Sequence, residues 1–116
     1  MLINLVDYYI LSKISLGTTL TITFQNNIDI HDRRVLEFKE IVGFIEQSTN
    51  GKLKSLRIDN GGNSYAHDLS LRLKRPEIMN FSEAFLFTDE QVSFQFRACA
   101  KAINFREWME TDIWLK

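Results

Sequence analysis

The chain has 116 residues, 45% hydrophobic and 25% charged, with a net charge of −1 and a single cysteine. That length holds one domain around one core, and the near-neutral balance gives no bulk attraction for nucleic acid or an anionic membrane. Cys99 has no second cysteine to bridge, which points to a reducing compartment, the cytoplasm, and to a small buried hydrophobe within "RACAKA".

The opening stretch "MLINLVDYYILSK" is apolar, but Asp7 interrupts it and no basic residue precedes it, so neither a secretory leader nor a membrane span is expected. Residues Leu2 to Val6 suit a helical turn. From there the apolar residues follow period two: Tyr8, Ile10, Ile14 and Leu16 before Gly17-Thr18, then Leu20, Ile22 and Phe24 with threonines between them. This predicts a β-hairpin. The connection "QNNIDIHDRR" reads as polar.

The segment "RRVLEFKEIVGFIEQS" fits two patterns. Val35, Phe38, Ile41, Val42 and Ile45 make a helical stripe, whereas Leu36, Phe38, Val42 and Phe44 share a strand face, and Gly43 weakens a helix by about 1 kcal/mol. Asn50-Gly51 in "TNGK" suits a type I′ turn, with "KLKSLRI" returning beyond it, so two strands forming a hairpin are favoured over a helix. "DNGG" marks the next turn, and "SYAHDLSLRLKR" alternates with Tyr65, His67, Leu69, Leu71 and Leu73 on one face, the pattern of a strand ended by Pro76. "AFLF" and "VSFQFRA" flank "TDEQ" as a further hairpin, and "INFREWMETDIWL" holds a short helix or a last strand. The expected fold is mostly β, with β-rich α+β as its variant: a single antiparallel sheet, sandwich or half-barrel with one or two short helices, in one domain spanning residues 1–116.

The two histidines, His31 and His67, are each followed by an aspartate, Asp32 and Asp68. On a strand, neighbouring side chains point to opposite faces, so His67 and Asp68 are not expected to share a ligand. Two histidines and one distant cysteine fall short of the ligand count of a zinc site, and the further metal-binding histidines of the HD phosphohydrolases are missing. No nucleophile elbow, phosphate loop or glycine fingerprint occurs. The expectation is a protein that is not an enzyme and carries no cofactor or metal.

Charge is uneven along the chain: residues 33–75 hold nine Lys/Arg against five Asp/Glu, and residues 76–116 hold four against seven. Lys52, Lys54, Arg57, Arg72, Lys74 and Arg75 offer some basic surface, but the neutral total and the lack of an RNA-binding aromatic motif weigh against nucleic acid. The acidic third, with Asp89, Glu90, Glu107, Glu110 and Asp112 beside Trp108 and Trp114, is the expected face for a protein partner.

The first 45 or so residues, through Asp7, Ile10, Ile14, Leu20, Ile22, Phe24, Phe38, Ile41 and Phe44, resemble the opening of small β-rich bacterial immunity proteins, which accompany polymorphic or contact-dependent toxins. The resemblance implies an inhibitor that neutralises one toxin by covering its active site or a neighbouring surface. The alternative classes are a structural or adaptor module of a bacterial or phage assembly and a small ligand-binding protein.

Overall fold

The computed structural model describes residues 1–47, 51–61, 64–89 and 94–115. Seven strands, β1 (Leu2–Asn4), β2 (Tyr8–Leu16), β3 (Thr19–Asn26), β4 (Arg33–Glu46), β5 (Leu53–Asn60), β6 (Ser82–Thr88) and β7 (Phe94–Glu107), form one antiparallel sheet in the order β1-β5-β6-β7-β4-β3-β2. One helix, α1 (Ser64–Arg72), and two 3-10 turns, Pro76–Asn80 and Glu110–Leu115, complete the described chain. The fold is therefore mostly β, as the alternation of apolar residues implies.

The order of the strands dictates the shape. β1 and β2 are consecutive in sequence yet lie at opposite edges of the sheet. Only residues 5–7 join them: Leu5 donates its backbone N–H to the Lys54 carbonyl at 3.0 Å, and the Asp7 carbonyl accepts from Asn27 at 2.7 Å. Four peptide units reach at most about 14 Å, so the sheet curls until its edges nearly meet, a half-barrel with a seam. Its concave face is the core, with Ile22 and Phe24 of β3, Leu36 and Phe38 of β4, Leu56 and Ile58 of β5, and Phe96 and Ala98 of β7 in one buried cluster.

The two 14-residue strands β4 and β7 carry the curl. β6, with β5 on its other side, pairs along the first half of β7, from Phe87↔Phe94 to Ser82↔Ala100, while β3 pairs along the first half of β4, from Gln25↔Arg33 to Leu20↔Phe38. Between the halves, Glu40 has φ 52° and the β4–β7 register shifts between Ile41 and Gly43. This irregularity moves the inward parity from Leu36 and Phe38 to Ile41, which is why the segment mimics a helical stripe in sequence.

Three expectations are corrected. Leu2 to Asn4 pair with Ser55 to Arg57 as a strand, not a helical turn, because the β5 edge needs a partner. β4 and β5 are not a hairpin: β6 and β7 lie between them, giving a Greek-key order, and residues 48–50 of the anticipated turn lie outside the described residues. Residues 64–72 are helical rather than a strand. There Ala66 and Ser70 are buried one turn apart, with Tyr65 and Leu69 partly buried beside them, against Val42, Ile78, Phe81 and Cys99 on the convex face of the sheet.

Two distant residues make that helix possible. A Cβ on Gly43 would stand 2.8 Å from the Tyr65 hydroxyl and 3.0 Å from Leu69, so these two side chains of the helix lie directly over the glycine and would have to shift for a larger residue. Glu83, fully buried on β6, accepts a hydrogen bond at 2.9 Å from the Ala66 N–H in the first turn of α1 and pairs with Arg97 of β7 at 3.1 Å. Arg97 in turn lies over the rings of Tyr65 and Phe85 at 4.6 and 4.7 Å. Among the described residues, no helix is long and apolar enough to cross a membrane.

Candidate protein-binding surface

At the end of the half-barrel where β3 turns into β4, the local sequence builds a fixed loop. Gln25, almost fully buried, donates from Nε2 to the carbonyls of Asn26, Asp29 and Asp32 at 3.2, 3.1 and 3.4 Å, and its Oε1 accepts from Arg33 Nε at 2.6 Å. Asn26 Oδ1 accepts the N–H groups of Ile28 and Asp29, and Asp29 Oδ1 accepts that of His31, the local bonding that makes Asn and Asp turn residues. Asp32 closes the base, accepting from the Tyr8 hydroxyl and, at 2.8 Å, from Arg34 Nε. These two bonds, the tyrosine's foremost, hold its carboxyl below the usual aspartate range.

This well-bonded loop holds two large apolar side chains in water: Ile28 is 84% and Ile30 75% exposed. Isolated exposed hydrophobes are ordinary on protein surfaces, but these have neighbours. Ile30, His31, Arg33 and Trp108 line a cleft of about 240 Å³. The Arg33 guanidinium lies 5.6 Å from the centre of the Trp108 ring, and Trp108 donates its backbone N–H to the Arg33 carbonyl. Beyond Trp108, Met109 and Ile113 are also exposed. Glu107, Glu110 and Asp29 are exposed on the same end. The cleft combines an isoleucine and an aromatic ring with two polar side chains, His31 and Arg33, and exposed apolar and acidic residues stand on the elements around it, a mixture that suits a protein contact.

The segment carrying Trp108 is pinned by Asp112. Its carboxylate accepts from Arg106 at 2.6 and 2.8 Å and from the Met109 N–H at 2.8 Å, and only 5% of the residue is exposed. The Arg106 hydrogen bonds pull its pKa below the ordinary value against the opposing effect of burial. A depressed carboxyl pKa adds stability that is present above the unfolded-state value and is lost as pH falls through the folded one. Unfolding free energy is therefore expected to fall as pH drops below about 4. Asp112→Asn should be less stable at neutral pH and show a flatter acid limb in urea titrations; an unchanged acid limb would contradict this assignment.

Of the residues expected to meet a partner, Glu107, Trp108 and Glu110 come together beside the β3–β4 loop, and Trp114 belongs to the same 3-10 turn. Asp112 is in the same place but spent on Arg106 and Met109, so it positions the surface rather than presenting a charge. Asp89 lies at the other end of β7, about 40 Å of strand away, where its side chain accepts from the Lys52 N–H at 2.9 Å. Glu90 lies outside the described residues. Sequence reasoning missed Ile28, Ile30, Arg33, Met109 and Ile113. The available signal was two isoleucines set among turn formers in "NNIDIHD".

The histidine-aspartate pairs do not form one centre. His67 is exposed on α1 while Asp68 pairs with Arg72 at 2.9 Å, and His31 lines the Trp108 cleft while Asp32 is held by Tyr8 and Arg34. Among the described residues no group of three or more His, Cys, Asp or Glu is placed to hold a metal ion. Cys99 is buried, and desolvation, with Glu83 adding to it, pushes its thiol up to about 11, so it stays protonated at neutral pH. Comparison of the chain with protein-family models, with curated proteins and with solved structures finds no match.

Proposed function

We propose that this protein is a non-catalytic inhibitor: an immunity protein that binds and neutralises a cognate bacterial toxin in the cytoplasm, using the end of the half-barrel formed by the β3–β4 loop and the segment after β7. The observation that carries the reading is the bonded loop that keeps Ile28 and Ile30 in solvent, with Ile30 on the wall of the Trp108 cleft. Ordering such a loop before contact removes part of the entropy cost of association. Large side chains at the centre of a contact supply most of its energy, and a charged rim steers the approach.

Of the positions that carry the resemblance to immunity proteins, Ile10, Leu20, Ile22, Phe24, Phe38 and Ile41 lie in or against the inner core, while Asp7 and Phe44 are exposed. The test is co-expression with the product of the gene immediately upstream of its own. Host growth arrested by that product alone is expected to recover when this protein is present, and an upstream product that is harmless, or arrest that persists, would contradict the reading.

A further inference from the structure

Among the described residues, one arginine lacks the partner that the others have. Six of the seven arginines place a guanidinium nitrogen 2.6–3.2 Å from a carboxylate oxygen, Arg34 on Asp32 and Arg106 on Asp112 among them. Arg33 is the exception, yet it is not a loose surface side chain. Its Nε donates to Gln25 Oε1 at 2.6 Å, and Gln25 is itself almost fully buried and bonded to the carbonyls of Asn26, Asp29 and Asp32. The guanidinium also lies 5.6 Å from the centre of the Trp108 ring. Nε is thereby spent, and Nη1 and Nη2 remain as the donors at the end of the fork, on the cleft of about 240 Å³ that Arg33 shares with Ile30, His31 and Trp108.

These surroundings define what the cleft takes. A planar pair of N–H donors matches the two oxygens of a carboxylate. Fixing the guanidinium before contact removes part of the entropy cost of binding, and the Ile30 and Trp108 side chains exclude water from a charge-assisted bond formed there. The charges nearby select among anions. Glu107, Glu110 and Asp29 are exposed at this end, so the repeated charge of a nucleic-acid backbone meets repulsion. A single carboxylate on a protein surface of mixed charge brings much less. The protein's own acids do not fill the place: Glu107 stands opposite Arg34 on the neighbouring strand, and Asp29 Oδ1 accepts the His31 N–H.

We propose that the Arg33–Trp108 cleft is a carboxylate site that receives one Asp or Glu side chain of the protein partner, held end-on by Nη1 and Nη2. The inference rests on the protein-binding reading and names the partner group that this part of the surface recognises. Ile28 and Ile30 then supply apolar contact, and Arg33 fixes the orientation of the partner against them.

The test uses two isosteric probes, N-acetyl-aspartate N-methylamide and N-acetyl-asparagine N-methylamide, titrated into the full chain to tens of millimolar at constant ionic strength. The aspartate probe is expected to shift the Arg33 guanidinium and Trp108 indole N–H signals saturably, and the asparagine probe to leave them in place. Arg33→Lys keeps the charge but loses the fork, and should abolish the saturable response while the urea midpoint stays near that of the native protein. Against the product of the upstream gene, the same variant should bind about tenfold more weakly or worse. No saturable shift, an equal response to both probes, or a response that survives Arg33→Lys would overturn the carboxylate site. A site that binds the aspartate probe while Arg33→Lys leaves partner affinity unchanged would overturn its assignment to the partner, leaving a site for small free carboxylates. The protein-binding reading itself is judged separately, by whether that product moves the Ile28 and Ile30 methyl signals.

Discussion

Glu83→Ala is expected to lower the unfolding free energy by about 3–5 kcal/mol, roughly a fifth or more of the 5–15 kcal/mol or so that holds a small domain together. Glu83 is fully buried and serves two partners, the Ala66 N–H of α1 and the Arg97 guanidinium, which is itself only 18% exposed. Removing the carboxylate leaves a largely buried cation without that counter-charge and the first turn of the helix without that acceptor. Glu83→Gln keeps an acceptor for Ala66 and should cost clearly less. Burial is the main influence on the Glu83 carboxyl and raises its pKa against the pull of Arg97. The sign with pH is therefore opposite to that of Asp112: the charged form is less favoured in the fold than in the unfolded chain, so this group favours folding increasingly as pH falls toward the unfolded-state value. Urea midpoints for the two variants at neutral pH check the ranking, and a loss below about 1 kcal/mol for the alanine variant would remove Glu83 from its place as the anchor of α1.

The paired substitution Ile28→Asp with Ile30→Asp should weaken partner binding by about 4 kcal/mol, near a thousandfold, if each isoleucine contributes as a central contact residue does. The stability of the free protein should change by no more than about 0.5 kcal/mol, because both side chains are already in water and the loop's bonds run through Gln25, Asn26 and Asp29. That combination separates a binding role from a folding role. Glu107→Lys with Glu110→Lys should act differently, changing affinity severalfold and mainly through the association rate, with a marked dependence on salt. Calorimetric titration for affinity and urea unfolding for stability decide both. A double aspartate variant that binds as tightly as the native protein would exclude the loop from the interface.

Strand periodicity made much of the sheet legible. Gly17, at φ 60°, stands where period two breaks between β2 and β3, and the phenylalanine-rich runs of β6 and β7 pair as anticipated. Periodicity failed where a long-range contact outweighs a local pattern. Tyr65, His67, Leu69, Leu71 and Leu73 alternate like a strand, yet α1 forms because Glu83 caps it from β6 and Gly43 makes room for it on β4, and neither residue is near it in sequence. As a helix it leaves His67, Leu71 and Leu73 in solvent. In β4 the reverse holds: the positive φ of Glu40 and the register shift after Ile41 break a strand's parity into something that resembles a helical stripe.

The proposed binding end was half legible. Glu107, Trp108 and Glu110 stand out as charge beside an aromatic. Asp112 looked like one more exposed acid because its pairing with Arg106 depends on a turn that no periodicity reveals. Ile28 and Ile30 were hidden by their neighbours, since the Asn and Asp residues that mark the stretch as a polar connection are the same ones that lock it into a rigid support.

The most direct measurement is methyl NMR of the protein carrying labelled isoleucine δ1 groups, titrated with the product of the upstream gene. The account predicts saturation at one equivalent, with the Ile28 and Ile30 methyls shifted or broadened and the buried Ile22, Ile58 and Ile78 methyls little changed. A titration that leaves Ile28 and Ile30 untouched, or that moves only isoleucines elsewhere on the sheet, would contradict it.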